Sequence, residues 1–259
     1  MPITINAIYR YPIKGLSAEP LARVALSTGR CLPHDRRFAL ARAGTVIDTE
    51  HPEWLPKTRF FMLMQDERLA ELRTRFDASS GTVTIERGGR QVLSAVITSG
   101  QGKQAFEDFF ARFLEGNPDG PPRLVEVPGR SFADARPKPN ASTDQYVSLL
   151  NLVSVRDLER VVKERVDPLR FRANVHFDGV AAWEELDWVG RQFTLGTARL
   201  RIVAPTTRCS ATAVNPDTAA RDLDVPRLLQ RNFKHNLMGV YAEVVADGEF
   251  DAGNLLVDA

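Results

Sequence analysis

Short segments in which apolar and polar residues alternate constrain the fold of this chain more than any other feature of its sequence. "ITINAIYRY" (3–11) and "LARVALST" (21–28) follow the two-residue period that is typical of half-buried strands. The second half adds strand-like segments at 170–179, 191–214 and 237–257. Because few helices separate these strands, we predict an α+β fold with mostly antiparallel or mixed sheets of barrel-like form, rather than a doubly wound fold.

Turn residues and helical spacing add local detail. The sequence predicts hairpins around Ala43–Gly44 and around Gly88–Gly89. Phenylalanines recur at helical spacing over 104–116, and further helices are predicted over 154–165, with Ser154 as the N-cap, and over 225–233.

A proline-rich stretch that ends near Thr143 separates two strand-rich halves. We therefore predict an N-terminal β domain at 1–100, a helix and connector at 101–143, and a second β domain at 144–259. The second domain is predicted to be barrel-like and to pack on the smaller first one.

Composition excludes several classes of function. The net charge of +1 gives no field that would attract nucleic acid or an anionic membrane. Two cysteines are too few for a disulfide framework or for a four-cysteine iron–sulfur cluster. The first residues lack the pattern of a secretory signal, and no apolar run approaches the roughly 20 residues that span a bilayer. We expect a cytoplasmic protein with no nucleic-acid or membrane partner.

The stretch "TTRCSATAVNPDT" (206–218) contains the first candidate site residues. Cys209 follows Arg208, and a neighbouring cation favours the thiolate, which is both a nucleophile and a soft metal ligand. A buried thiol that only packs is the more common role of a lone cysteine. The residue pattern alone therefore leaves packing, nucleophile and metal ligand open.

Three other stretches carry groups that suit an anionic ligand. Lys14–Gly15 ends a strand and offers an ammonium beside backbone N–H groups. In "HDRRFAL" (34–40) Arg36 and Arg37 should point to opposite faces of a strand, so that at most one faces a given pocket. Arg172 and Asn174 in "RFRANV" should share a strand face, with His176 as a surface or rim residue. Each stretch alone is more often structural than functional.

Taken together and in this order, these stretches resemble the MOSC family, the molybdenum cofactor sulfurase C-terminal domain and its relatives. "YPIKG" and "DRRF" look like the N-terminal β-barrel domain of that family. "RFRANV", "TTRC", "NPDT" and "MGVYAEVVADGEFDAGN" look like the MOSC domain itself. The resemblance covers nearly the whole chain and is strongest to the amidoxime-reducing MOSC enzymes. The resemblance also implies an association with pyridoxal phosphate, which applies only to the family as a whole.

The resemblance implies a molybdenum–molybdopterin cofactor in a cleft between the two domains, with Cys209 as the protein's metal ligand. It also implies a role in cofactor binding for Lys14, Gly15, Arg36, Arg172, Asn174, Thr207 and Arg208. Asp217 would lie near the substrate and take part in catalysis. The implied activity is the reduction of small N-hydroxylated compounds.

The sequence departs from the family pattern in ways that affect these expectations. Gly15 stands where relatives often have serine, and the turn at 215–219 lacks their usual first aspartate and last glycine. The chain has no cysteines for an iron–sulfur cluster, so a separate electron-transfer protein, either ferredoxin-like or a cytochrome or flavin reductase, is expected. Alternatives are a carrier of the cofactor without turnover, a sulfur carrier with a persulfide on Cys209, and an interaction domain with a packed thiol.

Overall fold

The computed structural model describes residues 2–49, 51, 53–117 and 120–259. Within these ranges the strands are β1 (Ile3–Arg10), β2 (Glu19–Leu21), β3 (Arg23–Leu26), β4 (Phe38–Ala41), β5 (Leu72–Asp77), β6 (Thr82–Arg87), β7 (Arg90–Val96), β8 (Arg123–Glu126), β9 (Val147–Asn151), β10 (Val175–Asp178), β11 (Gln192–Leu195), β12 (Ala198–Thr207), β13 (Leu237–Ala246), β14 (Gly248–Asp251) and β15 (Leu255–Asp258). The α-helices are α1 (Gly100–Phe113), α2 (Leu152–Val162) and α3 (Val225–Phe233). These many strands and few helices confirm the predicted α+β class.

Seven of these strands close into a barrel. Their order is β10, β9, β13, β12, β11, β15 and β1, and β1 pairs with β10 to complete the circle. All neighbours are antiparallel except β9 and β10, which run parallel. Inward-facing residues such as Ile8, Val175, Phe177 and Val240 fill the barrel and are excluded from solvent. The predicted barrel-like, mixed sheet is confirmed.

Strand β1 links the two ends of the chain. It belongs to the segment predicted as the N-terminal domain, yet it lies between β10 and β15 in the barrel, with Ile8 opposite Val175. Strand β3 likewise pairs with β14. The barrel therefore needs residues from the first ten positions. The domain boundaries at 100 and 143 stay predictions.

The remaining N-terminal elements form a second core. The sheet β5–β6–β7 and the pair β4–β8 pack with α1, whose Phe106, Phe110 and Phe113 are buried. The helix predicted from the phenylalanine spacing is confirmed, and Ser99 caps its first turn. This second core supports one wall of the cavity described below.

Of the two predicted hairpins, the structure contains one. The hairpin at Gly88–Gly89 is confirmed, since Arg87 lies opposite Arg90. The hairpin at Ala43–Gly44 is wrong, because β4 pairs with β8 instead. All four residues of β4 are buried, so that strand is covered on both faces and requires a partner from farther along the chain.

Helix α2 begins earlier than predicted. Asn151, rather than Ser154, is its N-cap, and the side chain of Asn151 accepts a hydrogen bond from the Val153 amide. Ser154 is buried and donates to Glu185 instead. The helix over 225–233 is confirmed as α3. Across the described ranges, no helix has the length and apolar character needed to cross a membrane.

Candidate functional site

A cavity of about 350 Å³ lies between the N-terminal elements and one end of the barrel. Eight of the nine site residues singled out from the sequence line it: Lys14, Gly15, Arg36, Arg172, Asn174, Thr207, Arg208 and Cys209. These residues come from four separate segments of the chain, and the fold brings them to one place. The ninth, Asp217, lies outside this cavity.

Lys14 follows β1 in a tight loop and is almost fully buried. Its ammonium donates a hydrogen bond to the Phe132 carbonyl at 2.8 Å and also pairs with Asp134. Burial lowers the pKa of Lys14, and the interaction with Asp134 opposes that shift. Gly15 has φ of +84°, and a Cβ there would lie 3.1 Å from the Met62 Cα, so glycine suits both the conformation and the space.

Arg36 and Arg172 hold the ring of Tyr11 between them. Each guanidinium carbon lies 4.3 Å from the ring centroid. Arg36 pairs with Asp35 and donates to the Arg172 carbonyl at 2.7 Å. Arg37 points away and pairs with Glu126, so only one of the two adjacent arginines faces the cavity, as predicted. The predicted cause, alternation along a strand, is wrong, because Arg36 lies in a turn before β4 and has φ of +49°.

The Arg172 guanidinium donates to the Leu16 carbonyl at 2.7 Å, and no described carboxylate pairs with it. Burial, followed by the repulsion of Arg36, lowers its pKa to about 10. Arg172 is half-buried, and a cation withdrawn from water without a counter-ion is costly, so an anion bound in the cavity would stabilise it.

The strand predicted for "RFRANV" is wrong in its first part. Pro168–Phe171 form a 3₁₀ helix, Arg172 has φ of +51°, and β10 begins only at Val175. Arg172 reaches the cavity because of this left-handed residue and not through strand alternation. His176, predicted at the surface, is buried, and burial followed by the charge of Arg208 lowers its pKa to about 4.

Asn174 lies in the cavity wall with its amide engaged by the protein. Its oxygen accepts from the Ser148 amide at 3.1 Å and from the Ser148 hydroxyl at 2.8 Å, and its nitrogen donates to the Tyr9 carbonyl. These bonds tie β9 to β1. The residue therefore shapes the wall, and its direct contact with a ligand stays a prediction.

Arg208 and Cys209 follow the end of β12. The Arg208 guanidinium donates to the carbonyls of Met238 and Phe171, each at 2.8 Å, and burial lowers its pKa to about 10. Gly239 has φ of +74°, and a Cβ there would lie 2.3 Å from the Leu149 carbonyl oxygen. This glycine lets β13 approach β9 and so places the Met238 carbonyl that holds Arg208.

Cys209 is half-buried and is the only thiol among the described residues that line the cavity. It precedes a short 3₁₀ helix, Ser210–Ala213, and its carbonyl accepts from the Thr212 hydroxyl at 2.8 Å. The nearby Thr206 hydroxyl is buried in the cavity wall and has no hydrogen-bond partner among the residues described. The site thus combines a thiol, an unsatisfied hydroxyl and several cations.

Lys57 is a cavity residue that sequence reasoning missed. It belongs to a 3₁₀ helix, Lys57–Arg59, and is half-buried beside Cys209. Burial lowers the pKa of Lys57, but a hydrogen bond and charge attraction with Cys209 raise it above its ordinary value. Nothing in "HPEWLPKTRF" (51–60) distinguishes this lysine from a surface lysine, because its partner is 152 positions away in the chain.

The connector supplies another wall. Its segment 132–138 carries the Phe132 carbonyl and the Asp134 carboxylate that contact Lys14. Burial opposes ionisation of Asp134, but Lys14, Lys57 and Arg36 together lower its pKa. Farther along the connector, the Ser142 amide and hydroxyl both donate to the Glu243 carboxylate of β13. These two bonds fix the end of the connector to the barrel.

Charge is the property that most distinguishes this cavity from the rest of the molecule. Eight basic residues line it, against Asp35 and Asp134 as the acidic ones: Lys14, Arg36, Lys57, Arg136, Lys138, Arg170, Arg172 and Arg208. The whole chain carries a net charge of only +1. The fold has therefore concentrated positive charge in one concave place, which suits an anionic ligand of several charges.

Asp217 lies at the edge of a neighbouring depression. Its carboxylate pairs with Arg73 of β5 at 3.1 Å, and its side chain is 76% exposed. The turn that precedes it is held by Asn215, whose side-chain oxygen accepts from the Asp217 amide. The structure thus places Asp217 between the two halves of the molecule, and its part in catalysis stays a prediction.

Comparison with known families agrees with this architecture. The family model of the MOSC domain matches residues 132–257, and that of the MOSC N-terminal β-barrel domain matches residues 2–120. The chain belongs to the MOSC family. The two matches lie on either side of residues 121–131, and residues from both matched ranges line the cavity.

Individual relatives are more distant. The molybdenum cofactor sulfurase of Bos taurus is 30% identical over 110 residues, which cover 38% of this chain and 12% of that protein. Mitochondrial amidoxime-reducing component 1 of Mus musculus is 32% identical over 78 residues, covering 30% of this chain and 22% of that protein. The matches thus span between about a tenth and a fifth of these relatives. The YUAD protein of Bacillus subtilis aligns over 99% of this chain and 94% of its own, with 10% identity and a TM-score of 0.45.

Proposed function

We propose that the cavity binds a molybdenum–molybdopterin cofactor and that the protein reduces small N-hydroxylated compounds with electrons from a separate protein. The observation that carries the proposal is the excess of eight basic over two acidic residues around a half-buried thiol. Both curated relatives named above have names that refer to molybdenum cofactor or to amidoxime reduction, which supports the same ligand class.

The residues fit the anionic part of such a cofactor. Lys14, Arg36 and Arg172 converge from two segments and can hold a phosphate by charge and hydrogen bonds. Arg172 is half-buried without a carboxylate partner among the described residues, and the Thr206 hydroxyl is buried without any partner there. A phosphate or a polar ring of the ligand would satisfy these groups.

The residues also fit a soft metal. A cysteine thiolate is the protein ligand that suits molybdenum held by further sulfur donors, and Cys209 is a cysteine in the cavity wall that could supply it. Lys57 places an ammonium beside that sulfur. When bound, the cofactor supplies two-electron chemistry at oxygen, while the protein supplies binding and orientation.

The proposed reaction converts an N–OH group to N–H and water, with consumption of two electrons and two protons. The described residues of the chain hold no group that could store those electrons, so a ferredoxin-like protein or a cytochrome or flavin reductase would deliver them. Electron delivery by a partner and reduction of the substrate are both part of the proposal.

Metal analysis of protein produced in a host that makes molybdopterin tests the binding step. We expect stoichiometric molybdenum and pterin, and loss of both in Arg36→Ala. Arg90→Ala, an exposed arginine on β7, serves as the control and should retain them. Absence of molybdenum and pterin from the matured protein would refute the proposal.

Turnover is tested on the loaded protein with benzamidoxime and chemically reduced viologen. Formation of benzamidine at a rate that depends on bound molybdenum supports the reductase. Stoichiometric cofactor without any turnover would refute the reductase and favour a carrier of the cofactor.

A further inference from the structure

A second cavity, which we call the side pocket, adjoins the cationic cavity. It has a volume of about 100 Å³ and shares the wall residues Gly15, Leu63, Arg170, Arg172 and Ala211 with the larger cavity. Ala211 lies two positions after Cys209, in the 3₁₀ helix that the cysteine precedes. The side pocket therefore adjoins the larger cavity on the side near the proposed metal ligand.

The two cavities differ in chemistry. Apart from the shared wall, the side pocket is lined mainly by the apolar side chains of Leu16, Ala18, Ala70, Leu169, Val214 and Pro216. Leu16 and Val214 are almost fully buried, and Val214 packs with Ala70 and Leu63 in a small apolar cluster. Such a surface favours an apolar group, whereas the larger cavity favours an anion.

All but one of the charges at the side pocket are paired; the exception is Arg172 in the shared wall, whose guanidinium donates to the Leu16 carbonyl. Arg73 bonds to Asp217 and donates to the Ala70 carbonyl at 2.9 Å, while Arg170 makes two bonds to Asp222 at 2.7 and 2.9 Å. The Arg73–Asp217 pair joins β5 to the loop after the 3₁₀ helix and forms part of the rim. The paired charges at the rim weaken electrostatic selection for a charged ligand there, and Arg172 lies in the wall that faces the larger, cationic cavity.

We propose that the side pocket receives the uncharged, apolar substituent of the N-hydroxylated substrate, a proposal that rests on the reductase function above. An apolar cavity of about 150 Å³ can hold benzene. A pocket of about 100 Å³ that adjoins a larger cavity can accept a short alkyl chain or a single ring. Asp217 then acts as a positioning residue, since its pair with Arg73 holds the rim of the substrate pocket.

Ala18 is the residue through which the size of the pocket can be changed. It lies in the loop before β2, lines the side pocket, and does not line the larger cavity. Ala18→Leu adds three carbons to the pocket. A difference of one methylene in a hydrophobic pocket changes specificity by about 10- to 200-fold. Ala22→Leu makes the same change at a nearby exposed position that lines neither cavity and serves as the control.

The first test compares benzamidoxime with acetamidoxime, which differ in the substituent and share the N–OH group. We expect the ratio of their kcat/KM values to fall about tenfold or more in Ala18→Leu. The ratio should be unchanged in Ala22→Leu. An unchanged ratio in a folded, molybdenum-loaded Ala18→Leu protein would overturn the side-pocket proposal and leave the reductase intact. If Ala18→Leu does not fold, Ala18→Val provides the same comparison with a smaller group.

The second test needs no turnover. Binding of benzamide to the protein without cofactor is measured by ligand-observed NMR, and we expect it in the wild-type chain and in Ala22→Leu but not in Ala18→Leu. Equal binding by all three proteins would refute the pocket. The same binding pattern in a chain that acquires no molybdenum when it is produced in a host that makes molybdopterin would refute the reductase and retain the pocket.

Discussion

Asp134 is the residue whose position most affects the anion site. Its carboxylate already pairs with Lys14, so an incoming phosphate must compete with an anion that belongs to the connector. We predict that Asp134→Asn binds pyrophosphate about tenfold more tightly, a change of about 1.4 kcal/mol. Calorimetric titration of the cofactor-free protein measures this. Asp144→Asn removes a carboxylate that pairs with Arg130 on the same connector and should change nothing.

The same pair gives a pH dependence with a definite sign. Binding of an anion by Lys14 weakens as the pH rises through the pKa of that lysine, which burial places below its usual value of 10.5. Asp134 raises this pKa, so in Asp134→Asn the loss of affinity should begin at a lower pH than in the wild type. Titrations with pyrophosphate between neutral and alkaline pH measure the two curves. Identical curves would show that Asp134 does not act on Lys14 in solution.

The two cysteines should behave differently when each is removed. Burial, followed by the charge of Asp35, raises the pKa of Cys31 to about 12, and its sulfur contacts the Gln145 side chain at 3.4 Å. Cys31 is therefore a neutral packing residue, whereas Cys209 faces the cavity. We predict that Cys209→Ala abolishes benzamidoxime reduction and that Cys31→Ala leaves it nearly intact. Retained activity in Cys209→Ala would remove this thiol from the metal.

For individual residues, the sequence predicted which residue types line the cavity better than it predicted their backbone conformation. Lysine, arginine and cysteine were correctly placed in one cavity because their chemistry and order resemble a known family. The geometry assumed for Arg172 was wrong, since its left-handed φ of +51° has no signal in a non-glycine residue. Lys57 was missed because its contact with Cys209 depends on tertiary structure alone.

Among the strands, β1 is the one that connects the N-terminal end of the chain to the barrel. It closes the barrel between β10 and β15, and its Ile5 and Ile8 are buried in the barrel core. We predict that Ile8→Ala lowers the free energy of unfolding by about 2–5 kcal/mol, as is usual for truncating a buried isoleucine. Asn6→Ala, at an exposed position of the same strand, should cost at most about 0.5 kcal/mol.

Urea denaturation followed by circular dichroism measures both variants of β1. A fragment of residues 130–259 that unfolded cooperatively by itself would contradict the assigned role of the strand, because that fragment leaves β10 and β15 without their shared neighbour. Pairing over this distance was not predictable from the sequence. Alternation shows that a segment is a strand but does not identify its partner, and the failed hairpin at Ala43–Gly44 has the same cause.

At the scale of the whole molecule, the cationic cavity joins two cores that are otherwise built from separate elements. Lys14, Arg36 and Lys57 come from the N-terminal half, whereas Arg172 and Arg208 come from the MOSC half. Asp35 and Asp134 offset part of this charge, and repulsion within the remaining excess of positive charge opposes the close approach of the two halves. An anion that binds between them removes this repulsion, so loading of the cavity and stability of the fold should be coupled.

This coupling can be measured as a change in the thermal midpoint. Pyrophosphate should raise the Tm of the cofactor-free protein, with a stabilisation of about 2.7 kcal/mol at 100 times its Kd. The shift should decrease as sodium chloride is added, because salt screens the attraction. Lys14→Met keeps the aliphatic stem and removes the charge, so its Tm should respond less to pyrophosphate. Lys103→Met makes the same change at an exposed position of α1 and should respond as the wild type does. Equal shifts in the two variants would mean that the anion stabilises the protein from somewhere other than the cavity between its halves.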